Sequence, residues 1–206
     1  MASTMDGRAA RGARSRMAIL DRARGIAATQ GLDGVSFARL ATDIDMSKSG
    51  VAALFGSKEG LQLATVAAAR EVFIDEVVRP ALGVPGGVAR LATLIAAHLD
   101  YSERRRESGG CFFSATSSEF AGRPSAVKDA IAAARVEWDE TLERVVTSAV
   151  RADELPESTD VAQLAFEIRA LLECANTDGV RLASAEPYER ARRAALSMLE
   201  ARRHSG

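Results

Sequence analysis

Three serines, Ser36, Ser47 and Ser57, each stand one residue ahead of a run with helical periodicity, and all three fall within 22 residues. The first backbone N–H groups of a helix lack partners and its dipole is positive there. A serine at that position caps the helix, and the same end attracts an anionic oxygen such as a phosphate's. Capping and phosphate contact are compatible uses of one helix end. Lys58 follows Ser57 directly. A cation in a first turn is disfavoured by the dipole, so its placement points to an anionic partner outside the helix. Lys48 follows Ser47 in the same way and, with Ser49, Gly50 and Val51, opens a helix of barely two turns whose polar start suits bases or phosphates in a major groove. Gly50 costs such a helix about 1 kcal/mol relative to Ala; close approach to a nucleic acid backbone and simple absence of a role both account for it.

Charge is distributed to match. Residues 1–58 hold nine Lys or Arg against five acids, a balance of +4, while the remainder holds 18 bases against 23 acids, a balance of −5. A basic end on an acidic body is what binding to phosphates through that end requires. Arg14 and Arg16, with Arg8 and Arg11 upstream, read as a flexible basic arm over residues 1–15, and Arg39 as a cation facing outward from the second helix.

These residues need short helices to hold them, and the apolar spacing supplies such helices. Met17 to Gln30 places Leu20, Ala23, Ile26 and Ala27 on one face, with Gly31 as the stop; a second helix follows Ser36 to Asp43, Asp45 and Met46 turn the chain, and a third runs from Ser47 to Phe55. A long fourth helix is expected from Ser57 to Arg79, ended by Pro80. Beyond the linker LGVPGG at 82–87, five further helices are expected: 88–105, 111–120, 124–152 with Pro124 in its first turn, 160–183 and 186–203. The whole is all-α, with about nine helices.

The run VSFARLATDIDMSKSGVAALFGSKEGL, residues 35–61, resembles the DNA-binding region of the TetR family of bacterial repressors, and the likeness extends over residues 17–61. GGCFFSATSSEFAGRP and ECANTDGVRL look like one subgroup of that family. The resemblance implies a head at 16–61 with its helix-turn-helix near 36–55, and a helical ligand-binding and dimerisation body at 62–206. It also implies a homodimer through helices eight and nine on a palindromic double-stranded DNA operator, release by a small-molecule inducer, repression, and residence in the bacterial cytoplasm. The family places a phosphate-contacting lysine at the position of Lys58. Three positions depart from the pattern: Ala52 and Leu54 replace a usual aromatic and a usual His, and Asp45 replaces a turn glycine. A helical interaction or ligand-binding protein with weakened DNA contacts is therefore the alternative.

For the body, polar tips among apolar neighbours nominate His98, Cys111, Phe112, Phe113, Glu119, Trp138, Arg169 and Asn176 as ligand contacts. An enzyme is not expected: there are two histidines, and no GxSxG, HExxH, Walker or GxGxxG motif. Cys111 and Cys174 lack metal-ligand or disulfide spacing, so no metal or cofactor is expected. No signal peptide and no apolar run of about 20 residues is present, so no membrane partner is expected.

Overall fold

A computed structural model describes residues 3–117, 119 and 124–203, with side chains from residue 12 onward and at residue 10. Among the described residues the chain forms nine helices. The head contains α1 (Ser3–Gln30), α2 (Phe37–Asp43) and α3 (Lys48–Phe55). The long α4 begins as Lys58–Phe73 and continues through a π-helical turn, Ile74–Val78, into a last turn, Arg79–Leu82. The body adds α5 (Val88–Arg104), α6 (Phe112–Ser117), α7 (Ala126–Arg151), α8 (Val161–Leu182) and α9 (Glu186–Arg203). No helix among the described residues is long and apolar enough to cross a membrane.

The expected starts of the short helices are present because their caps form. Ser36 Oγ accepts from the Arg39 N–H at 3.3 Å, Ser47 Oγ from the Gly50 N–H at 3.1 Å and Ser57 Oγ from the Gly60 N–H at 2.9 Å. Asp45 adopts φ 52°, the left-handed turn conformation that Asp tolerates better than most residues. Gly50 has a local reason to be glycine: a Cβ there would lie 2.9 Å from the capping Ser47 Oγ.

Four expectations are corrected. The segment read as a flexible arm is helical from Ser3 onward, continuous with α1; the Arg8 and Arg11 side chains lie outside the described residues. The inward face of α1 starts at Ile19, fully buried, while Leu20 is only half-buried. Pro80 does not end α4. Proline has no N–H to bond the carbonyl four residues back, and the preceding π-helical turn, where the Arg79 N–H bonds the Ile74 carbonyl, widens the backbone enough to carry the ring. Helix α7 begins after Ser125, whose side chain accepts from the Lys128 N–H, so Pro124 lies ahead of the cap.

The core is continuous between head and body. Ile19, Leu40, Val51 and Leu61 of the head belong to the same buried cluster as Phe73 on α4, Phe113 on α6 and Ile131 on α7. A second cluster fills the body, where Leu94, Leu142, Ile168 and Leu199 join α5, α7, α8 and α9. Trp138 packs against both clusters.

Candidate nucleic-acid interface and ligand cavity

On α3 the outward side is short and small. Lys48, Ser49 and Ala53 are exposed and Ala52 is half-buried, while Val51 is completely buried beneath them. Val51 is thus a core residue of the head and does not reach a groove. Ala53 was missed in the sequence, although the helical step from Ser49 places it on the same face. Lys48 has no ion-pair partner among the described residues, and Ser49 Oγ sits 3.3 Å from Ser47 Oγ.

The other basic candidates divide by what already holds them. Arg16 donates to the Leu54 carbonyl at 2.8 Å and lies over the Phe55 ring, 4.5 Å from its centroid, so it pins α1 to the end of α3. Arg14 is exposed. Arg39 donates to the Gln30 side chain. The Lys58 ammonium donates to the Asp33 carbonyl at 3.1 Å and stands 3.6 Å from the Asp33 carboxylate, so the partner that its first-turn position demands lies within the chain, although the side chain stays half exposed.

In the body, α4, α5, α6, α7 and α8 enclose a cavity of about 360 Å³. Its floor is aromatic: Phe73 meets His98, Phe113 and Trp138 edge-on, and His98 stacks on Trp138 with ring centroids 5.5 Å apart. Ala134 and Trp138, on the otherwise buried stripe of α7, are half-buried at this opening. Burial lowers the His98 pKa from its ordinary 6.5 to about 4, so the imidazole is neutral, and its Nδ1 has no hydrogen-bond partner among the described residues. Burial also pushes the Cys111 thiol up, so it lines the cavity as a small neutral group and not as a nucleophile.

Five of the nominated ligand residues therefore meet at one cavity: His98, Cys111, Phe113, Trp138 and Arg169. Phe112, Glu119 and Asn176 do not line it. Phe112 turns into the core beside Phe113. Asn176 Oδ1 accepts from the Cys111 N–H at 2.8 Å and fixes the start of α6. Glu119 accepts from the Leu32 and Asp33 N–H groups at 2.7 and 2.8 Å, and so clamps the turn between α1 and α2 of the head to the body. What the sequence did not supply are the arginines at the rim, Arg70, Arg90, Arg135 and Arg144, which single-residue composition cannot separate from surface charge.

Two family models match this chain: "Bacterial regulatory proteins, tetR family" over residues 19–65, and "Tetracyclin repressor-like, C-terminal domain" over residues 87–195. No curated protein resembles the chain closely enough to count as a relative. Among solved structures, a TetR transcriptional regulator from Chloroflexus aurantiacus J-10-FL is 23% identical with a TM-score of 0.84, covering 92% of this chain and 96% of its own. A transcriptional regulator from Saccharomonospora viridis in complex with choline is 18% identical, with a TM-score of 0.76 and coverages of 91% and 96%. AibR, in complex with isovaleryl coenzyme A and operator DNA, is 19% identical, with a TM-score of 0.66 and coverages of 79% and 86%. The matched models span both the three-helix head and the cavity-bearing body, and the chain belongs to the TetR family of bacterial transcription regulators.

Proposed function

We propose that this regulator is a repressor that binds a palindromic operator as a homodimer and is released by a small-molecule inducer. The observation that carries the reading is the outward side of α3, where Lys48 is exposed and without an ion-pair partner among the described residues, beside Ser49 and the small Ala53, on a head whose core is continuous with the walls of a ligand-sized cavity. Ser36, Ser47, Ser57 and the Gly50 backbone lie on the helix ends nearest a phosphate chain, and Arg14, Arg39 and Lys58 supply further cations at their edges. The AibR complex, which holds both an acyl coenzyme A and operator DNA, supports pairing these two activities on one such fold.

The surfaces that support a dimer are on α8 and α9. Phe166 on α8 and Leu196 on α9 are 54% and 42% exposed, and Ala170 and Cys174 continue the Phe166 side of α8 at helical spacing. One short recognition helix reads few base pairs, and two of them related by a two-fold axis read a palindrome. Inducer release works by population shift: the ligand binds best to a state whose heads are wrongly spaced for successive grooves. Helix α4 is the connection, with Phe73, Ile74 and Val78 on the cavity and Gln62 donating to the Leu32 carbonyl of the head at 3.0 Å.

The test is binding to the DNA upstream of the protein's own gene, followed by fluorescence anisotropy over a salt series. Affinity is expected to fall steeply with salt, and Lys48→Ala to weaken binding and reduce the log–log slope by about two, one for each head of the dimer. A protein indifferent to that DNA and to selected random DNA would sink the reading. One observation favours the alternative, a ligand-binding protein with weakened DNA contacts: Lys58 is already engaged by Asp33, and Ala52 and Leu54 offer no polar group to a phosphate.

A further inference from the structure

The cavity described above has a direction. Along α4 its lining runs from Arg70, beside Glu137, to Leu82, and along α7 from Ala134 to Ser148. Twelve residues of helix rise about 18 Å, and the 360 Å³, which counts only the positions a water's centre can take, spread over that length gives a free width of about 8 Å once a water radius of about 1.4 Å is added at each wall. The cavity is thus about twice as long as it is wide, so an extended chain fills its length where a rounded body covers less than half of it.

Its charges are unequal from end to end. Both carboxylates of the lining are already neutralised: Glu137 by a two-pronged contact from Arg70, and Glu173 by Arg135 at 3.0 Å. At the Leu82 end stand two guanidiniums. Arg90 donates only to the Val84 carbonyl, through Nε at 3.2 Å and Nη2 at 2.9 Å, and has no carboxylate partner among the described residues. Arg144 donates to Thr141 Oγ1 at 2.7 Å, and its one carboxylate partner among the described residues is the largely exposed Glu140, one helical turn away at 3.5 Å. The opposite, deep part is the aromatic floor with neutral His98, which carries no charge of its own.

We propose that the ligand of this cavity is a slender lipophilic carboxylate of medium-chain fatty-acid type, its chain laid along Phe73, Ile74 and Val78 and its carboxylate held at Arg90 and Arg144. The proposal rests on the reading that this cavity is the inducer site. Guanidinium recognises a carboxylate with paired, charge-assisted hydrogen bonds, and an Arg already held by a backbone carbonyl loses little freedom in making them.

Trp138 is the chain's single tryptophan and stands in the cavity wall, so its emission reports occupancy directly. The full-length protein is titrated at pH 7.5 with decanoate, 1-decanol, decylamine and adamantane-1-carboxylate, each below the concentration at which it forms micelles. Decanoate is expected to saturate the Trp138 signal, with decanol and adamantane-1-carboxylate each roughly tenfold weaker or more and decylamine weaker still. Arg90→Gln, and separately Arg144→Gln, should bring decanoate down toward decanol while leaving decanol unchanged. Decanol or decylamine binding as well as decanoate overturns the anion assignment, and adamantane-1-carboxylate binding as well overturns the extended-chain assignment. If none of the four binds, the proposal falls. Operator binding is measured separately by anisotropy, so that result leaves the regulator reading standing or falling on its own data.

Discussion

Arg14 and Arg16 stand two positions apart on α1 and differ in what they can do. Arg16 is spent on the Leu54 carbonyl and the Phe55 ring, whereas Arg14 is exposed. Arg16→Met is expected to lower stability by about 1–2 kcal/mol through loss of one hydrogen bond and one cation–π contact, and to weaken DNA binding only through the head's stability. Arg14→Ala should leave the melting temperature unchanged and lower DNA affinity at low salt. Thermal unfolding paired with anisotropy separates the two; equal melting temperatures for both variants would refute the assignment for Arg16. His98 makes a second prediction at this scale. Its pKa is lowered in the folded protein, so below about pH 6.5 the unfolded chain binds a proton that the folded one refuses. Its contribution is therefore neutral above about pH 6.5, and stability falls by up to about 1.4 kcal/mol per unit as pH drops from 6.5 toward about 4. His98→Phe, which keeps a ring against Trp138, should remove that part of the slope in urea unfolding at pH 5, 6 and 7.5. An unchanged slope in the variant would refute it.

Among the elements, the helix starts were legible because a cap is a local event: a serine's oxygen meets an N–H three residues later, and Ser36, Ser47 and Ser57 need nothing distant to do so. Pro80 misled for the converse reason. Whether a proline ends a helix depends on the backbone before it, and the π-helical turn at Ile74–Val78 leaves no mark in composition. The site divides the same way. Aromatic and polar tips pointed to His98, Phe113 and Trp138, but Glu119 and Asn176 bond groups 87 and 65 residues away, a pairing no local pattern reveals. Glu119 is the clearest element-level device that results, a body carboxylate holding the α1–α2 turn of the head through two short, charge-assisted bonds. Hydrogen bonds to a charged group contribute about 1.5–3 kcal/mol each, so Glu119→Ala should loosen that turn more than any other part of the head. Amide hydrogen exchange at Leu32 and Asp33 is expected to accelerate at least tenfold relative to that at Leu40. Equal acceleration throughout the head would mean global destabilisation instead.

At the scale of the whole molecule the proposed dimer requires two heads to act together, and the exposed apolar side of α8 is where that can be broken without touching the outward side of α3 or the core. Phe166 is 54% exposed, contacts the Arg169 guanidinium at 5.3 Å from its ring centroid, and belongs to neither buried cluster, so replacing it leaves the folded chain's own packing largely intact. A carboxylate facing its own copy across a two-fold axis adds like-charge repulsion to the lost apolar area. Phe166→Asp is therefore expected to sediment as a monomer at micromolar concentration with an unchanged helical spectrum. Two linked heads gain about 10²–10⁴ in avidity over one, so the same variant should lose operator affinity by a factor in that range while keeping weak binding to a half-site. Its affinity for a cavity ligand should change far less, because the cavity is enclosed by helices of a single chain. A variant that stays dimeric would place the partner surface elsewhere on the body, and a monomer that still binds the full operator as tightly would remove the need for two heads.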